Sequence, residues 1–396
     1  MAIEQFHNCQ DNKMSIVRMK KIVFLSTMAF EANVSIIKRL RHNYDVYYIG
    51  MFNYGKCSLG YLDLKSDITQ AKQIKEFAPF EEYIDIGKSY IVKHPEGLSL
   101  KKIIVDFKVF RLVKKIDPDV ILTDAANICM LLPRILLKNK VISFVHDPFP
   151  HSGEDSFSRV LANKLLVKYS KRYVLFNKAQ KREFIDRYCV DSSHVFCSHL
   201  SSYEYLNVYD NLPIEKKKGV INILFYGRIS PYKGIEYLLK GIRAFYESGY
   251  DGIEVTVAGR GDFNFDISEY EKLPYVHVKN TFIDSPILVK MIKESDAVIC
   301  PYTDATQSGV VMTAFAFGKP VIATKVGGLP EMLENGELGI LIPPKNEKAI
   351  KDTLIEIRNN TTLLDGYSNK IHKTYELGDK SWDHAVEILD RAIKSI

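Results

Sequence analysis

Short apolar runs separated by helical patterns dominate the first half of the chain. A run of four to six apolar residues between turn signals is typical of a buried parallel strand, and apolar residues at intervals of three and four are typical of an amphipathic helix. The spacing predicts helices at 34–40 and 99–116. The runs predict strands at 21–26, 45–49, 83–86, 120–123, 141–145, 173–176 and 194–198. This alternation predicts a doubly wound parallel sheet.

The alternation stops at residues 201–220, which hold Pro213 and the charged run 215–218, and then resumes. The second half has apolar runs that predict strands at 221–226, 253–258, 276–278, 297–300, 320–323 and 339–342. We therefore expect two Rossmann-like α/β domains. The expected division is a polar N-terminal extension at 1–18, a first domain at 19–205, a linker at 206–220, a second domain at 221–378 and a final amphipathic helix within 379–396.

Composition narrows the class of protein. The 396 residues are 46% hydrophobic and 26% charged, as in globular proteins with a full core. The net charge of +6 is too small to indicate nucleic-acid binding. It suits a protein that binds an anionic ligand or an anionic membrane surface. The alternative interpretation is a solvated surface with an excess of lysine. Six cysteines without a CxxC pair favour a reducing compartment. With no apolar run near the roughly 20 residues that cross a bilayer, we expect a cytoplasmic protein, with peripheral attachment to the inner face of the membrane as an alternative.

The segment FYGRISPYKG, residues 225–234, holds the most informative motif. A predicted strand ends at Gly227, and Arg228 and Lys233 follow on the loop before the next helix. Open α/β sheets bind ligands at the carboxyl ends of their strands, and two cations beside a helix N-terminus suit a diphosphate. A pair of ordinary surface cations is the alternative interpretation.

Two later motifs also follow predicted strands. AGRGD at 258–262 places Gly259 where the backbone can turn tightly near a ligand, although such glycines are more often simple turns. The stretch DAVICPYTDATQSGVVMTAFAFGKPVIATKVGGLPE at 296–331 contains a polar loop before a helix. Backbone amides near that helix start suit phosphate oxygens, and they belong to Gln307, Ser308, Gly309 and Val310.

The ordered series of motifs in the second half resembles the family 4 retaining glycosyltransferases of the GT-B fold. The motifs are GRxxxxKG, AGRGD, DAVICPY and GKPVIATxVGGLPE. The resemblance covers most of residues 220–345, whereas the first half is similar only in its strand–helix alternation and in FVHDPFP, residues 144–150. It implies two doubly wound domains facing across a cleft, with the acceptor on the N-terminal domain and the nucleotide sugar on the C-terminal one. It also implies that the final helix returns to the N-terminal domain, where Trp382 would be its anchor.

The resemblance also implies roles for individual residues. Arg228 and Lys233 would contact the diphosphate, and His146 would face the transferred sugar; a turn histidine capped by Asp147 is the alternative for that position. The remaining donor-binding residues would be Gly227, Gly259, Thr281, Phe282, Ile283, Gln307, Ser308, Gly309, Val310 and Thr313. The acceptor side would include Phe30, Asn33 and Asp147. Neither a metal nor a cofactor is expected.

This sequence departs from the family pattern at two places. Ala305 and Thr313 stand where the family often has glutamates, so the chain resembles a subgroup with a TQSG loop, and the usual ribose contact must differ. The loop 26–33 after the first strand contains no glycine, unlike the usual glycine-rich loop. The missing glutamates leave a non-catalytic nucleotide-sugar-binding protein open, and a nucleotide-sugar epimerase on the same fold is the other alternative.

The basic, aromatic helix at 98–115 has two interpretations. Its pattern is more typical of a helix with one face in the core and one in water. The alternative is a contact with a membrane that carries a lipid-linked acceptor. The expected activity is transfer of a sugar from a nucleotide-diphosphate sugar to a saccharide or lipid-linked glycan, as in the synthesis of bacterial surface polysaccharides, with retention of anomeric configuration.

Overall fold

The computed structural model describes residues 18–27, 30–53, 56–57, 60–95, 99–124, 135–145, 164–176, 178–305, 308–360 and 362–396. These residues form two α/β units, each built on a parallel sheet with its own hydrophobic core. The mixed α/β class predicted from the sequence is confirmed.

The N-terminal unit is built on eight strands. They are β1 (Lys21–Ser26), β2 (Asp45–Asn53), β5 (Ile68–Gln70), β6 (Ser89–His94), β7 (Val120–Thr123), β8 (Val141–Val145), β9 (Arg172–Leu175) and β10 (Val195–Cys197), and a separate hairpin pairs β3 (Lys56–Cys57) with β4 (Gly60–Tyr61). The sheet order is β10-β9-β8-β7-β1-β2-β6-β5, and β5 alone runs antiparallel to its neighbour. From β1 the chain adds strands on one side through β2, and from β7 onward it adds strands on the other side. The boundary between β1 and β7 is therefore the topological switch point of this sheet.

Helices cover both faces of this sheet. The described helices are α1 (Phe30–Leu40), α2 (Leu100–Ile116) and α3 (Lys181–Tyr188). Helix α2 begins at the N-cap Ser99, whose hydroxyl accepts a hydrogen bond from the Lys102 amide, and ends at Asp117 in a left-handed conformation. Its inward residues pack on the strands as a continuous apolar row, Val105, Val109, Val113 and Ile116.

Two predictions for this half were wrong in detail. Residues 83–86 form a turn rather than a strand, because Tyr83 and Ile84 are core residues that pack against neighbouring loops. Helix α1 begins at Phe30 rather than at Val34, since Phe30 joins a cluster of aromatic rings that buries the first turn.

The C-terminal unit has a six-stranded, fully parallel sheet. Its strands are β11 (Ile221–Tyr226), β12 (Ile253–Gly259), β13 (Val276–Asn280), β14 (Ala297–Cys300), β15 (Val321–Thr324) and β16 (Gly339–Ile342), in the order β13-β12-β11-β14-β15-β16. The described helices are α4 (Ile235–Glu247), α5 (Ser268–Glu271), α6 (Ser285–Glu294), α7 (Gly309–Ala316), α8 (Leu329–Met332), α9 (Glu347–Asn359) and α10 (Leu363–Tyr375). The boundary between β11 and β14 is the switch point here.

The last helix, α11 (Trp382–Lys394), packs on the N-terminal unit. Trp382 is 1% exposed, and its indole Nε1 donates to the Ser202 carbonyl at 2.8 Å. Arg39 on α1 links the same region by binding Glu204 at 2.5 Å and Asp383 at 2.7 Å. Within the described part of the chain, no helix combines the length and the apolar character needed to span a bilayer.

Candidate functional site

The loops after β11 and β12 are joined at the carboxyl edge of the C-terminal sheet. The Gly227 amide donates to the Ala258 carbonyl at 3.0 Å, and the Ile229 amide donates to the Arg260 carbonyl at 3.1 Å. Gly259 has a φ of 149°, and a Cβ on this residue would lie 1.8 Å from the Gly227 carbonyl oxygen. Glycine is therefore required here by both the backbone angle and the approach of the neighbouring loop.

These loops form one wall of a cavity of about 710 Å³. Phe282 and Ile283, just before α6, and Leu288 within it also line the cavity, and Phe282 is 73% exposed. A cavity with an exposed aromatic ring, glycine backbone and two arginines, Arg228 and Arg260, has the features of a nucleotide site. Its lining residues are Tyr226, Gly227, Arg228, Ile229, Ser230, Pro231, Ala258, Gly259, Arg260, Gly261, Asp262, Phe282, Ile283 and Leu288. The structure thus brings together five of the predicted donor residues: Gly227, Arg228, Gly259, Phe282 and Ile283.

Lys233 lies beside this cavity rather than in its lining. It ends a 3₁₀ turn (Pro231–Lys233), is 9% exposed, and holds its ammonium 3.7 Å from the ring centroid of Tyr302. Burial raises the pKa of Tyr302, and it raises the pKa of the Cys300 thiol to about 11, so both groups are neutral near pH 7. The Lys233 ammonium therefore lies next to a ring face and two neutral groups.

The backbone beside Lys233 is tightly packed. Gly234 has a φ of 66°, and a Cβ there would lie 1.9 Å from the Pro301 carbonyl oxygen. The Thr303 amide donates to the Tyr232 carbonyl at 2.7 Å. The loop after β11 is therefore fixed to the loop after β14 as well as to the loop after β12.

The N-terminus of α7 forms the third side of the region. Ser308 precedes the helix and is 5% exposed, and the Tyr226 hydroxyl donates to the Val310 carbonyl at 2.9 Å. The first amides of a helix have no partner within it, so those at Gly309 and Val310 are available to an anion. The Thr313 hydroxyl is buried and donates to the Gly309 carbonyl at 2.9 Å, so it is engaged within the helix.

The segment that follows β10 contacts the same helix. The Tyr203 amide donates to the Met312 carbonyl at 3.1 Å, and the Tyr203 ring lies 3.3 Å from the position a Cβ on Gly309 would take. Thr281 is exposed and does not line the cavity, although it adjoins Phe282. Gln307 lies outside the described residues.

A buried polar cluster stands at the switch point of the N-terminal sheet. Asp124 directly follows β7 and accepts hydrogen bonds from the Thr27 amide at 2.8 Å, the Ser26 hydroxyl at 2.9 Å and the Asn33 side-chain amide at 2.6 Å. Ser26, Asn33 and Asp124 are each at most 2% exposed. The cluster therefore fixes the start of the glycine-free loop that follows β1.

The predicted acceptor-side residues are only partly accessible. Phe30 is 2% exposed inside an aromatic cluster, and Asn33 belongs to the Asp124 cluster, so both support the loop instead of presenting side-chain atoms to a ligand. His146 and Asp147 lie outside the described residues. Sequence reasoning missed Asp124 and Tyr302; the only signal for Asp124 was its place directly after an apolar run.

Other titratable groups have structural roles. His199 is half-buried and its Nε2 lies 2.9 Å from the Ser381 carbonyl, next to α11. Burial lowers the pKa of His199, which favours the neutral ring. Among the described residues, no group of three or more His, Cys, Asp and Glu side chains is arranged to hold a metal ion.

Solved structures with similar architecture cover nearly the whole chain. Anabaena Alr3699/HepE in complex with UDP superposes with a TM-score of 0.61 at 15% identity, covering 95% of this chain and 100% of that one. UDP-GlcNAc 2-epimerase from Neisseria meningitidis bound to UDP-GlcNAc superposes with a TM-score of 0.63 at 13% identity, with coverage of 95% and 100%. The chain has the GT-B fold. At these identities the likeness concerns the fold alone.

Sequence comparison adds a match in the C-terminal half. Residues 221–360 match the family described as Glycosyl transferases group 1. D-inositol 3-phosphate glycosyltransferase from Corynebacterium glutamicum (strain R) is 30% identical over 171 residues, which is 41% of this chain and 38% of that relative. The chain spans about two fifths of the length of the first curated relatives it matches. The segment that matches this family model therefore lies in the C-terminal unit, which carries the cavity.

Proposed function

We propose that this protein is a retaining glycosyltransferase that moves a sugar from a nucleotide-diphosphate sugar to a saccharide or lipid-linked glycan. The observation that carries the proposal is the 710 Å³ cavity at the carboxyl ends of β11 and β12, where Arg228 and the glycine loops meet. The cavity lies inside the segment that matches Glycosyl transferases group 1. The UDP bound by the structural relatives supports a nucleotide as the occupant.

The charges around the cavity suit a departing diphosphate. When the bond between the anomeric carbon and the diphosphate oxygen breaks, negative charge accumulates on the leaving group. In this proposal Arg228, Lys233 and the amides at Gly309 and Val310 stabilise that charge; Arg228 lines the cavity, Lys233 is buried beside it, and the two amides begin α7. Fixed dipoles and a buried ammonium are effective here because they need no reorganisation during the reaction.

The chemistry then balances without a protein nucleophile. The acceptor hydroxyl oxygen forms the new bond to the anomeric carbon on the face that the diphosphate leaves, and its proton passes to the departing phosphate oxygen. The positive charges lower the cost of separating the leaving group before the new bond is complete. Retention of configuration and independence from metals belong to this proposal, as does a catalytic role for His146 facing the transferred sugar.

The experiment compares nucleotide binding with turnover. Thermal-shift titrations with UDP, GDP and ADP identify the nucleotide, because a ligand that binds only the folded state raises the melting temperature. Turnover of the matching sugar nucleotide is then measured for Arg228→Ala and Lys233→Ala, with Lys240→Ala as a control. Lys240 is an exposed cation on α4 that pairs with Glu236 and lies away from the cavity.

We expect Arg228→Ala to lose about 2–4 kcal/mol of transition-state stabilisation, while Lys240→Ala turns over normally. Nucleotide binding with no turnover of any donor by the unmodified protein would establish the non-catalytic alternative. Consumption of a sugar nucleotide without acceptor and without nucleotide release would instead establish an epimerase.

A further inference from the structure

Helix α2 presents an exposed apolar stripe on the side opposite the core. Leu100 is 81% exposed, Ile103 66%, Ile104 54% and Phe107 51%. Their spacing of three and four residues places them on one face over a length of about 10 Å. The sequence pattern favoured a face in water, but four large apolar side chains on one helical face are unusual for a surface that contacts only water.

Cations continue the same stripe. Arg111 and Lys114 follow Phe107 at intervals of four and seven residues, and both are exposed, as is the neighbouring Lys115. The one acidic residue of α2, Asp106, is turned toward the core side, where it binds His94 at 3.0 Å. The outward face therefore combines apolar and positively charged side chains without a carboxylate from its own helix.

The stripe begins at the same edge of the N-terminal sheet as the buried Asp124 cluster. Strand β6 ends at His94 and α2 begins at Leu100, so the apolar half of the helix starts at the carboxyl edge of the sheet. Asp124 and Ser26 stand at that same edge of the N-terminal sheet. An object that covers Leu100 and Ile103 would lie at this edge of the sheet, where the resemblance predicts the cleft.

We propose that this face of α2 docks on an anionic phospholipid bilayer. Helices that lie in the plane of a membrane insert an apolar face among the acyl chains and hold cations at the head groups, and the charge of this face is complementary to anionic lipid. Docking would place the cleft beside the bilayer, where a lipid-linked acceptor is found; only this identity of the acceptor rests on the proposed glycosyl transfer.

The test is sedimentation of the full-length protein with vesicles of phosphatidylcholine alone and of phosphatidylcholine mixed with phosphatidylglycerol. One variant carries Ile104→Gln and Phe107→Gln, and a second carries Arg111→Glu and Lys114→Glu. The matched control carries Ile287→Gln and Leu377→Gln, two exposed apolar residues of the C-terminal unit, at 44% and 75%. Thermal melts check that each variant is folded.

We expect the unmodified protein and the control to bind the mixed vesicles and the apolar variant to bind them about tenfold or more weakly. The charge variant should lose the preference for the mixed vesicles over phosphatidylcholine alone. Equal binding by all four proteins, or no vesicle binding by the unmodified protein, would overturn the proposal. Self-association that the apolar variant abolishes, without vesicle binding, would assign the face to a second copy of the chain.

Nucleotide binding is measured on the same samples by thermal shift with UDP. The α2 variants should keep the shift of the unmodified protein, because their substitutions lie in the other unit. Vesicle binding without any nucleotide shift would leave the docking surface standing and remove the support for glycosyl transfer. The two proposals therefore fail separately.

Discussion

The ammonium of Lys233 lies 3.7 Å from the centre of the Tyr302 ring, in the loop region beside the candidate nucleotide cavity. Tyr302 is 1% exposed, and its carbonyl accepts a 2.6 Å hydrogen bond from the Thr324 hydroxyl, so the ring is held in place. The ring face gives the buried cation an attractive contact, and among the residues that the structure describes no carboxylate lies within ion-pair distance of it. That charge is then available to an anionic ligand.

Replacing Tyr302 tests this contact. Tyr302→Leu removes the ring, and we expect nucleotide affinity to fall by about 0.5–2 kcal/mol because Lys233 loses its support. Isothermal titration calorimetry with the nucleotide identified by thermal shift measures the change. Tyr302→Phe keeps the ring and removes only the hydroxyl, which lies 3.4 Å from the Ser308 hydroxyl, so its affinity should stay near that of the unmodified protein. An equal loss of nucleotide affinity in both variants would show that affinity depends on the hydroxyl of Tyr302 and not on its ring.

Gly259 offers a test of the joined loops. Gly259→Ala places a methyl group 1.8 Å from the Gly227 carbonyl oxygen, so the two loops must separate. We expect a loss of about 1–3 kcal/mol in the free energy of unfolding and a marked loss of nucleotide affinity. Chemical denaturation and calorimetry measure the two effects.

Gly249 supplies the matched control for that change. It has a φ of +83°, but a Cβ there would have no atom within 4 Å, so Gly249→Ala introduces backbone strain without a clash. This variant should lose about 1 kcal/mol of stability and bind nucleotide normally. Equal nucleotide affinities for the two alanine variants would contradict the idea that loop contact shapes the cavity.

Asp124 is expected to matter for the acceptor more than for the nucleotide. Asp124→Asn replaces one carboxylate oxygen with a donor group that faces the donors of Ser26, Thr27 and Asn33. The mismatch should cost about 1–3 kcal/mol of stability and loosen the loop after β1. Initial-rate kinetics should show a higher KM for the acceptor, while calorimetry shows unchanged nucleotide affinity.

Asp119 provides the control at the other end of the same strands. Its carboxylate accepts a 2.7 Å hydrogen bond from the Lys21 amide at the start of β1. Asp119→Asn should lower stability to a similar or smaller extent without changing the KM for the acceptor. A shift in acceptor KM of the same size in both variants would attribute the Asp124 effect to general destabilisation.

His199 links stability to pH. Burial lowers its pKa below the value near 6.5 of an unfolded histidine, so the folded protein favours the neutral ring. The contribution of His199 is therefore fully present above about pH 6.5 and is lost as the pH falls from there through the lowered pKa of the folded protein. The variant His199→Gln retains a donor for the Ser381 carbonyl but does not titrate. When the pH is lowered from about 7.5 to 5.5, the free energy of unfolding of this variant should fall by up to about 1 kcal/mol less than that of the unmodified protein. Urea denaturation at the two pH values measures both free energies of unfolding. An equal decrease in the variant and the unmodified protein would refute the role of His199.

The sequence predicted the parts of the fold that depend on local pattern. Buried parallel strands are continuous apolar runs, so β1, β7, β8 and β11 were correctly positioned from the chain alone. Glycines at strand ends likewise indicated close backbone approach before Gly259 was seen beside Gly227. Buried strands and glycines at strand ends can be recognised from a few consecutive residues, because the interactions that determine them are reflected in the local sequence.

Features that depend on distant partners were not predictable in this way. Asp124 binds Thr27 across 97 positions of sequence, and Tyr302 meets Lys233 across two strand–helix units, so neither contact leaves a local pattern. The residues 83–86 looked like a strand because apolar residues in a buried turn and in a buried strand have the same composition. The two interpretations of α2 stayed open for a related reason: periodicity shows that the helix has two faces, but packing decides which of them is covered.

The contact between the Trp382 indole and the Ser202 carbonyl brings the two interdomain crossings of the polypeptide side by side. One crossing leaves the N-terminal unit after Cys197, and the other returns to it before Trp382. A movement that opens or closes the space between the units must therefore bend both connections at one hinge, and a single backbone cut in either connection would leave the halves tethered by the other.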